Sequence, residues 1–502
     1  MASKDDFIKA AQPALDRLLK AYPNPKEDLC ISDVVDAEGH QYVNLVQEGG
    51  GVLGVALLGY TYVLEQMGIR FMKMAGTSAG AINTMMLAAL GEKHEMKSLK
   101  ILELLTNKNL FDFVDGGKLV RTLIRNLITS TGFFKRIMVL LVVVAALFIT
   151  SLFATLFLAG RMVLDAPLIV TATVLMICIA LIAYIWFWVS RRQKDFSQAE
   201  FGLNPGRDFE NWVTGILKDN GIHHLGDLRR HIEKTPPGGF RLRRSDNPED
   251  LSDLNSPSME KFLVLVTSDI TNQIKVEFPR MWNLYWAKEE DVNPAGFVRA
   301  SMSVPVFFRP FASPEIEPEK FEGRWNQLVG PESASRISPK AKFVDGGIIS
   351  NFPINVFYNP SVDAPRMPTF GIMLEDADPP QPAQGFKNFF GYAGAMVSTL
   401  RYHYDKEFLI KHADFKKTIG EIDVRGVNWL NFNLTDNEKI DLFRRGAMAA
   451  ADFFLGKESA KTPAEMPTIK YDDTTKSEVP QGGFDWEYYK RYRKVRKRRL
   501  GY

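Results

Sequence analysis

Two long apolar runs in the middle of the 502-residue chain constrain its form more than any other feature. Residues 137–159, IMVLLVVVAALFITSLFATLFLA, and 168–189, LIVTATVLMICIALIAYIWFWV, carry no charged side chain. Each exceeds the roughly 20 helical residues needed to cross a hydrocarbon core. Their position, far from the N-terminus, excludes a signal peptide. The link between them, GRMVLDAP, has room only for a tight helical hairpin. Lys135 and Arg136 precede the first run, and Arg191, Arg192 and Lys194 follow the second, whereas Arg161 in the link is opposed by Asp165. This positive-inside bias places both outer ends in the cytoplasm, with Tyr184, Trp186 and Trp188 in an aromatic belt. Two apolar core helices of a soluble protein are the competing reading. The expectation is a transmembrane hairpin over 135–194 in a bacterial inner membrane.

Strands alternate with helices on either side of that insertion. A helical segment is expected over 1–38, where FIKAAQPALDRLLKAY is amphipathic. YVNLVQ then reads as a strand entering EGGGVLG, and FMKMA as a strand entering GTSAG, each followed by a helix. KFLVLVTSD, KFVDGG and TFGIMLE continue the sheet after the hairpin. This order implies an α/β fold with a mainly parallel central sheet covered by helices. The expected organisation is a first catalytic half at 39–134, the hairpin, a second catalytic half at 195–378, and a helical C-terminal region at 379–502.

Gly76-Thr77-Ser78-Ala79-Gly80 is a G-x-S-x-G sequence at a strand-to-helix turn. Small flanking residues permit the strained turn that projects a serine hydroxyl above a sheet, and the helix start favours negative charge beside it. Gly49-Gly50-Gly51-Val52-Leu53-Gly54 formally matches the dinucleotide fingerprint, but no acidic residue closes the next strand to hold a ribose. Bare glycine amides serve better as donors to an oxyanion. Asp345-Gly346-Gly347 ends a later strand, where a carboxylate can take a serine proton directly. A Ser–His–acid arrangement is the rival, and His403 or His412 fits it by chain order.

The order GGGxxG, GTSAG, DGG resembles the patatin-like phospholipases, as do GIHHLGDL (221–228), VTSDITN (266–272), VRASMSVPVFF (298–308) and DGGIISNFPI (345–354). The resemblance spans residues 42 to 375, with the hairpin as an insertion. It implies a patatin-like three-layer fold and a dyad of Ser78 and Asp345 acting through an acyl-enzyme. It also implies oxyanion donors at Gly50, Gly51 and Val52, and a mechanism that needs no metal or cofactor. Leu53 departs from the basic residue that many members carry there.

The charge balance points the same way. Net charge is +3, yet Lys490 to Arg499 alone holds eight basic residues beside Trp486, Tyr488, Tyr489 and Tyr492. Such an end suits anionic lipid headgroups, each nearby cation contributing about 1 kcal/mol, and the apolar runs favour lipid over nucleic acid as partner. Two cysteines, Cys30 and Cys178, make no disulfide framework. The expected activity is lipid ester hydrolysis, with membrane lipids as substrate and anchor. An anchored esterase or thioesterase on other acyl groups, or a non-catalytic scaffold on the same fold, is the alternative.

Overall fold

The computed structural model describes residues 2–116, 121, 201–243, 254, 258–331, 337–362, 365–375, 399, 405–456, 471–472, 477–478 and 483–500. Both apolar runs, and His403, lie outside the described residues. Among the described residues no helix is long and apolar enough to cross a membrane.

The chain divides into two units, the first comprising 1–113, 206–304 and 310–502. This unit contains a ten-stranded sheet among its described residues. Its main path, with strands numbered in chain order, uses β1 (Gln41–Gln47), β2 (Ile69–Thr77), β3 (Leu263–Asp269), β4 (Phe311–Ala312), β5 (Lys342–Asp345), β6 (Thr369–Glu375) and β7 (Ile419–Asp423). The spatial order is β7-β6-β1-β2-β3-β5-β4. The five strands from β7 to β3 are mutually parallel; Ile274–Phe278 pairs antiparallel along one edge of β3, and β5, itself paired antiparallel with β4, continues antiparallel along the edge that β2 occupies. Every residue of β1 and β3 is buried, as expected for strands covered on both faces.

The mainly parallel sheet agrees with the sequence expectation, with two differences. The strand that delivers Asp345 runs antiparallel to its neighbour, pairing Asp345 with Thr267. Residues 379–502, expected to be helical, also supply β7, which pairs along β6 from Ile419 to Asp423. They supply the helix Asp436–Leu455 as well, opened by a capping box between Thr435 and Glu438. That helix packs on both Gly54–Gln66 and the N-terminal helix Lys4–Ala21. Phe443 stands at the junction, its ring 5.5 Å from Phe7 and 5.6 Å from Tyr62. The chain ends are therefore part of the layer that holds the glycine-loop helix in place.

The second unit comprises 114–205 and 305–309. In its described part Asn204 forms a parallel bridge with Phe308. The Asn204 side chain accepts the Gly116 amide at 3.0 Å and donates to the Phe307 carbonyl at 2.9 Å.

Candidate active site

Strand β2 ends at Thr77, and the next helix runs from Ala79 to Ala89, leaving Ser78 as the single residue of the turn. Its backbone is left-handed, with φ 52° and ψ −118°. For a non-glycine residue this costs on the order of 1–3 kcal/mol, which the surrounding packing must offset. The flanking glycines explain how the turn closes. A Cβ at position 76 would lie 2.8 Å from the Ala81 nitrogen, and one at position 80 would lie 2.8 Å from the Glu48 carbonyl oxygen. Ser78 is only 6 % exposed.

Ser301 holds the turn from behind. Its hydroxyl accepts the Ser78 amide at 3.0 Å and donates to the Val266 carbonyl at 2.6 Å. Ser301→Ala would leave two buried backbone groups unpaired, so a loss of about 1–3 kcal/mol is expected, read as a lower denaturant midpoint. Acylation of Ser78 should slow in the same variant, and an unchanged midpoint with unchanged acylation would remove Ser301 from this role.

Asp345 ends β5 with its side chain buried. One carboxylate oxygen accepts the Gly347 amide at 2.7 Å, and the Asp345 amide donates to the Ser303 carbonyl at 2.9 Å. The register fixes its distance from the serine. Thr77 pairs with Val266 and Asp345 with the next residue, Thr267, on one and the same edge of β3, because the strand Ile274–Phe278 occupies the other edge along 265–269. The elbow that follows Thr77 and the carboxylate of Asp345 therefore meet at adjoining positions along one strand edge, end to end. Gly346 makes the approach possible, because a Cβ there would lie 3.0 Å from the Thr77 methyl carbon.

The glycine loop leaves β1 beside the elbow, and a Cβ on Gly49 would sit 3.1 Å from that of Ser78. Of the amides expected as oxyanion donors, two are engaged elsewhere. Gly49 donates to the Asn351 carbonyl and Val52 to the Trp429 carbonyl, both at 3.0 Å. Among the described residues no hydrogen bond occupies the amides of Gly50 and Gly51. Gly51 adopts φ 55°, and Trp429 packs so closely on it that a side chain at position 51 would collide with the Trp429 carbonyl. Gly54 packs on Ala79, which ties the loop's helix to the elbow's. Leu53 is 1 % exposed, an interior packing position where a cation would be desolvated.

Four of the described histidines are engaged away from this constellation. His40 Nδ1 lies 2.9 Å from Asp36, and His231 Nε2 lies 2.9 Å from the Gly91 carbonyl. His224 caps the helix Leu225–Ile232. His412 packs in a three-ring cluster with Tyr358 and Phe408, at 4.4 and 4.6 Å, and burial there pushes its pKa down.

Three side chains that the sequence did not single out connect the loops. Asn351 donates through Nδ2 to Glu48 at 2.9 Å and to the Gly49 carbonyl at 3.0 Å. The other Glu48 oxygen accepts the Leu374 amide at 2.7 Å. Asp405 is buried and accepts from Ser350, Asn351 and Phe352, and burial pushes its carboxyl up. Asn351 and Glu48 had a visible signal, lying within DGGIISNFPI and at the head of EGGGVLG, whereas Asp405 lies in neither.

The basic C-terminal helix, Trp486–Leu500, differs from a free tail. Trp486, Tyr488 and Tyr489 are buried, and Lys490 pairs with Asp33 at 3.0 Å. These three aromatics are thus interior anchors, while Tyr492 is half-buried and Arg491 and Lys494 remain exposed. A separate cavity of about 610 Å³ lies between this helix and β7, lined by Arg425, Arg445, Asp452 and Tyr489 among others. It shares no lining residue with the serine site.

The sequence model of one family, described as "Patatin-like phospholipase", matches residues 45–358, more than half of the chain. The chain is 24 % identical over 405 residues to an uncharacterized protein, YqhO, of Bacillus subtilis (strain 168), covering 81 % of this chain and 95 % of that one. The crystal structure of VipD from Legionella pneumophila is similar at a TM-score of 0.32 and 16 % identity, over 84 % of this chain and 68 % of that one.

Proposed function

The chain belongs to the patatin-like phospholipase family, and from that premise we propose that it is a membrane-anchored lipid acyl hydrolase working through Ser78 and Asp345. Family membership supports a lipid acyl hydrolase in general. The observation that carries the finer reading is the left-handed Ser78, set beside a glycine loop with two uncommitted amides and beside a buried carboxylate whose strand meets the same edge of β3 one residue further on.

The proposed sequence of events is as follows. The Asp345 carboxylate accepts the Ser78 hydroxyl proton as the oxygen attacks the ester carbonyl. Negative charge on the tetrahedral oxygen is met by the Gly50 and Gly51 amides and by the positive end of the helix that Ser78 opens. The alcohol departs with the proton from Asp345, leaving the acyl group on Ser78. Water then attacks the acyl-enzyme with Asp345 again as base, and the fatty acid leaves.

The anchoring part of the proposal rests on the apolar runs at 137–159 and 168–189. Two crossings return the chain to the side it left, so Ser78 and Asp345 can assemble in one sheet on the cytoplasmic face. Exposed Arg491 and Lys494 would meet anionic headgroups there. The substrate class is a membrane glycerolipid or lysophospholipid reached by lateral diffusion.

Covalent labelling of the detergent-solubilised chain with a fluorophosphonate, followed by peptide mapping, tests this directly. The adduct is expected on Ser78, together with release of fatty acid from phospholipid or lysophospholipid vesicles. Folded protein with neither adduct nor release would favour the scaffold reading. An adduct with turnover only of thioesters or small esters would favour the esterase.

A further inference from the structure

Asp405 lies beyond the residues that match the family, 45–358, in a stretch that is helical over its described residues 405–411. It is a carboxylate only 5 % exposed. One of its oxygens accepts the Ser350 hydroxyl at 2.7 Å, and the other accepts the amides of Asn351 and Phe352, each at 2.9 Å. Three donors converging on one buried carboxylate fix the path of three consecutive residues.

Those three residues touch both of the other loops. The Ser350 carbonyl accepts the Thr77 hydroxyl at 3.0 Å, so the residue before the nucleophile is tied to the segment Asp405 holds. Asn351 grips Gly49 twice, accepting its amide and donating Nδ2 to its carbonyl, each at 3.0 Å. The second contact has a geometric consequence. In a trans peptide the C=O and the following N–H point in opposite directions. Drawing the Gly49 carbonyl toward Asn351 therefore aims the Gly50 N–H the other way.

We propose that Asp405 is a positioning residue for acyl transfer, which acts through Asn351 to orient the Gly50 oxyanion donor relative to Ser78. This inference rests on the hydrolase reading of Ser78 given above. A carboxylate supplied by the C-terminal region thus sets the relation between three catalytic loops that the matched region contributes. Misplacing a donor by about 1 Å can cost on the order of a hundredfold in rate.

The test uses the full-length chain in detergent, with kcat expressed per site titrated by fluorophosphonate, so that unfolded protein does not count. Asp405→Ala is expected to lower kcat about a hundredfold while KM changes by less than about threefold. Asp405→Asn, whose amide oxygen can still accept both backbone N–H groups, is expected to restore most of the rate. The pair Asp405→Ala with Asn351→Ala should be no slower than Asn351→Ala alone, because both act through one contact. Should Asp405→Ala give no titratable sites, Asp405→Ser carries the same expectation, its short hydroxyl being unable to span both amides. Wild-type kcat per titrated site in these variants, an Asp405→Asn loss as deep as that of alanine, or independent multiplying losses in the pair would each overturn the proposal. Turnover by the wild type, lost in Ser78→Ala, reports on the hydrolase reading separately, and its absence from the wild type sinks both.

Discussion

Asp345→Asn is expected to abolish ester hydrolysis, lowering kcat by roughly 10⁴- to 10⁶-fold, the range seen when an essential base or its partner is removed from a serine hydrolase. At 1.36 kcal/mol per decade this is about 5–8 kcal/mol of transition-state stabilisation. The substitution is informative because it should leave the fold alone. The asparagine oxygen can still accept the Gly347 amide now held at 2.7 Å, and the backbone bonds to Ser303 and Ser268 do not involve the side chain. What disappears is the proton acceptor. Ser78→Ala should lose as much, and the double variant should be no worse than either single one, since the two groups act as a unit. His412→Ala is expected to keep most of the activity, because its ring is engaged in a cluster with Tyr358 and Phe408. His403→Ala is expected to behave likewise. Initial rates on one ester, per folded molecule, decide the matter. Full activity in Asp345→Asn with loss in either histidine variant would replace the dyad with a triad.

How much of this site could be read from the sequence follows from how local each part is. The elbow was legible because its physics is contained in five residues: a left-handed serine, and glycines where a Cβ would strike backbone. The glycine loop was legible as a source of amides, but not which amides remain uncommitted. That depends on the Trp429 carbonyl, and a backbone carbonyl leaves no mark in a sequence. Ser301 reaches Ser78 across 223 residues, and Asp405 reaches Asn351 across 54, so both contacts exist only once the sheet has formed. Asp405 was hidden further by its setting in RYHYDKEF, a polar stretch that reads as a solvated helix face. Strand direction was hidden for a similar reason. Lys342–Asp345 has four residues, too few for composition to distinguish parallel from antiparallel pairing. The aromatics of the C-terminal helix show the limit of composition, since the same Trp486 and Tyr489 could face lipid or core. Their burial against the body of the protein is a tertiary outcome.

Excising residues 137–189 and joining the flanks with a short glycine-serine linker is expected to move the chain from the membrane pellet to the soluble fraction. Fluorophosphonate labelling of Ser78 should persist. The expected release is large because each run alone is long enough to span the bilayer, and a basic surface helix offers only about 1 kcal/mol per cation in return. Persistence of labelling follows from where the catalytic parts fall. Ser78, the glycine loop, Ser301, Asp345, Asn351 and Asp405 all belong to the unit of 1–113, 206–304 and 310–502, whereas the excised residues fall within the range 114–205 of the other. The competing reading makes the opposite forecast. Were the runs core helices, their removal would expose the apolar surface they cover, at about 25 cal/mol per Å². The product would then aggregate and lose its labelling. Separating supernatant from pellet at high speed, then probing each for the adduct, distinguishes the two. A labelled chain that still sediments with anionic vesicles and leaves neutral ones would assign the residual attachment to Arg491, Lys494 and their neighbours. An unlabelled aggregate would end the anchor hypothesis, and with it the argument that an even number of crossings is what lets one sheet be built from both sides of the insertion.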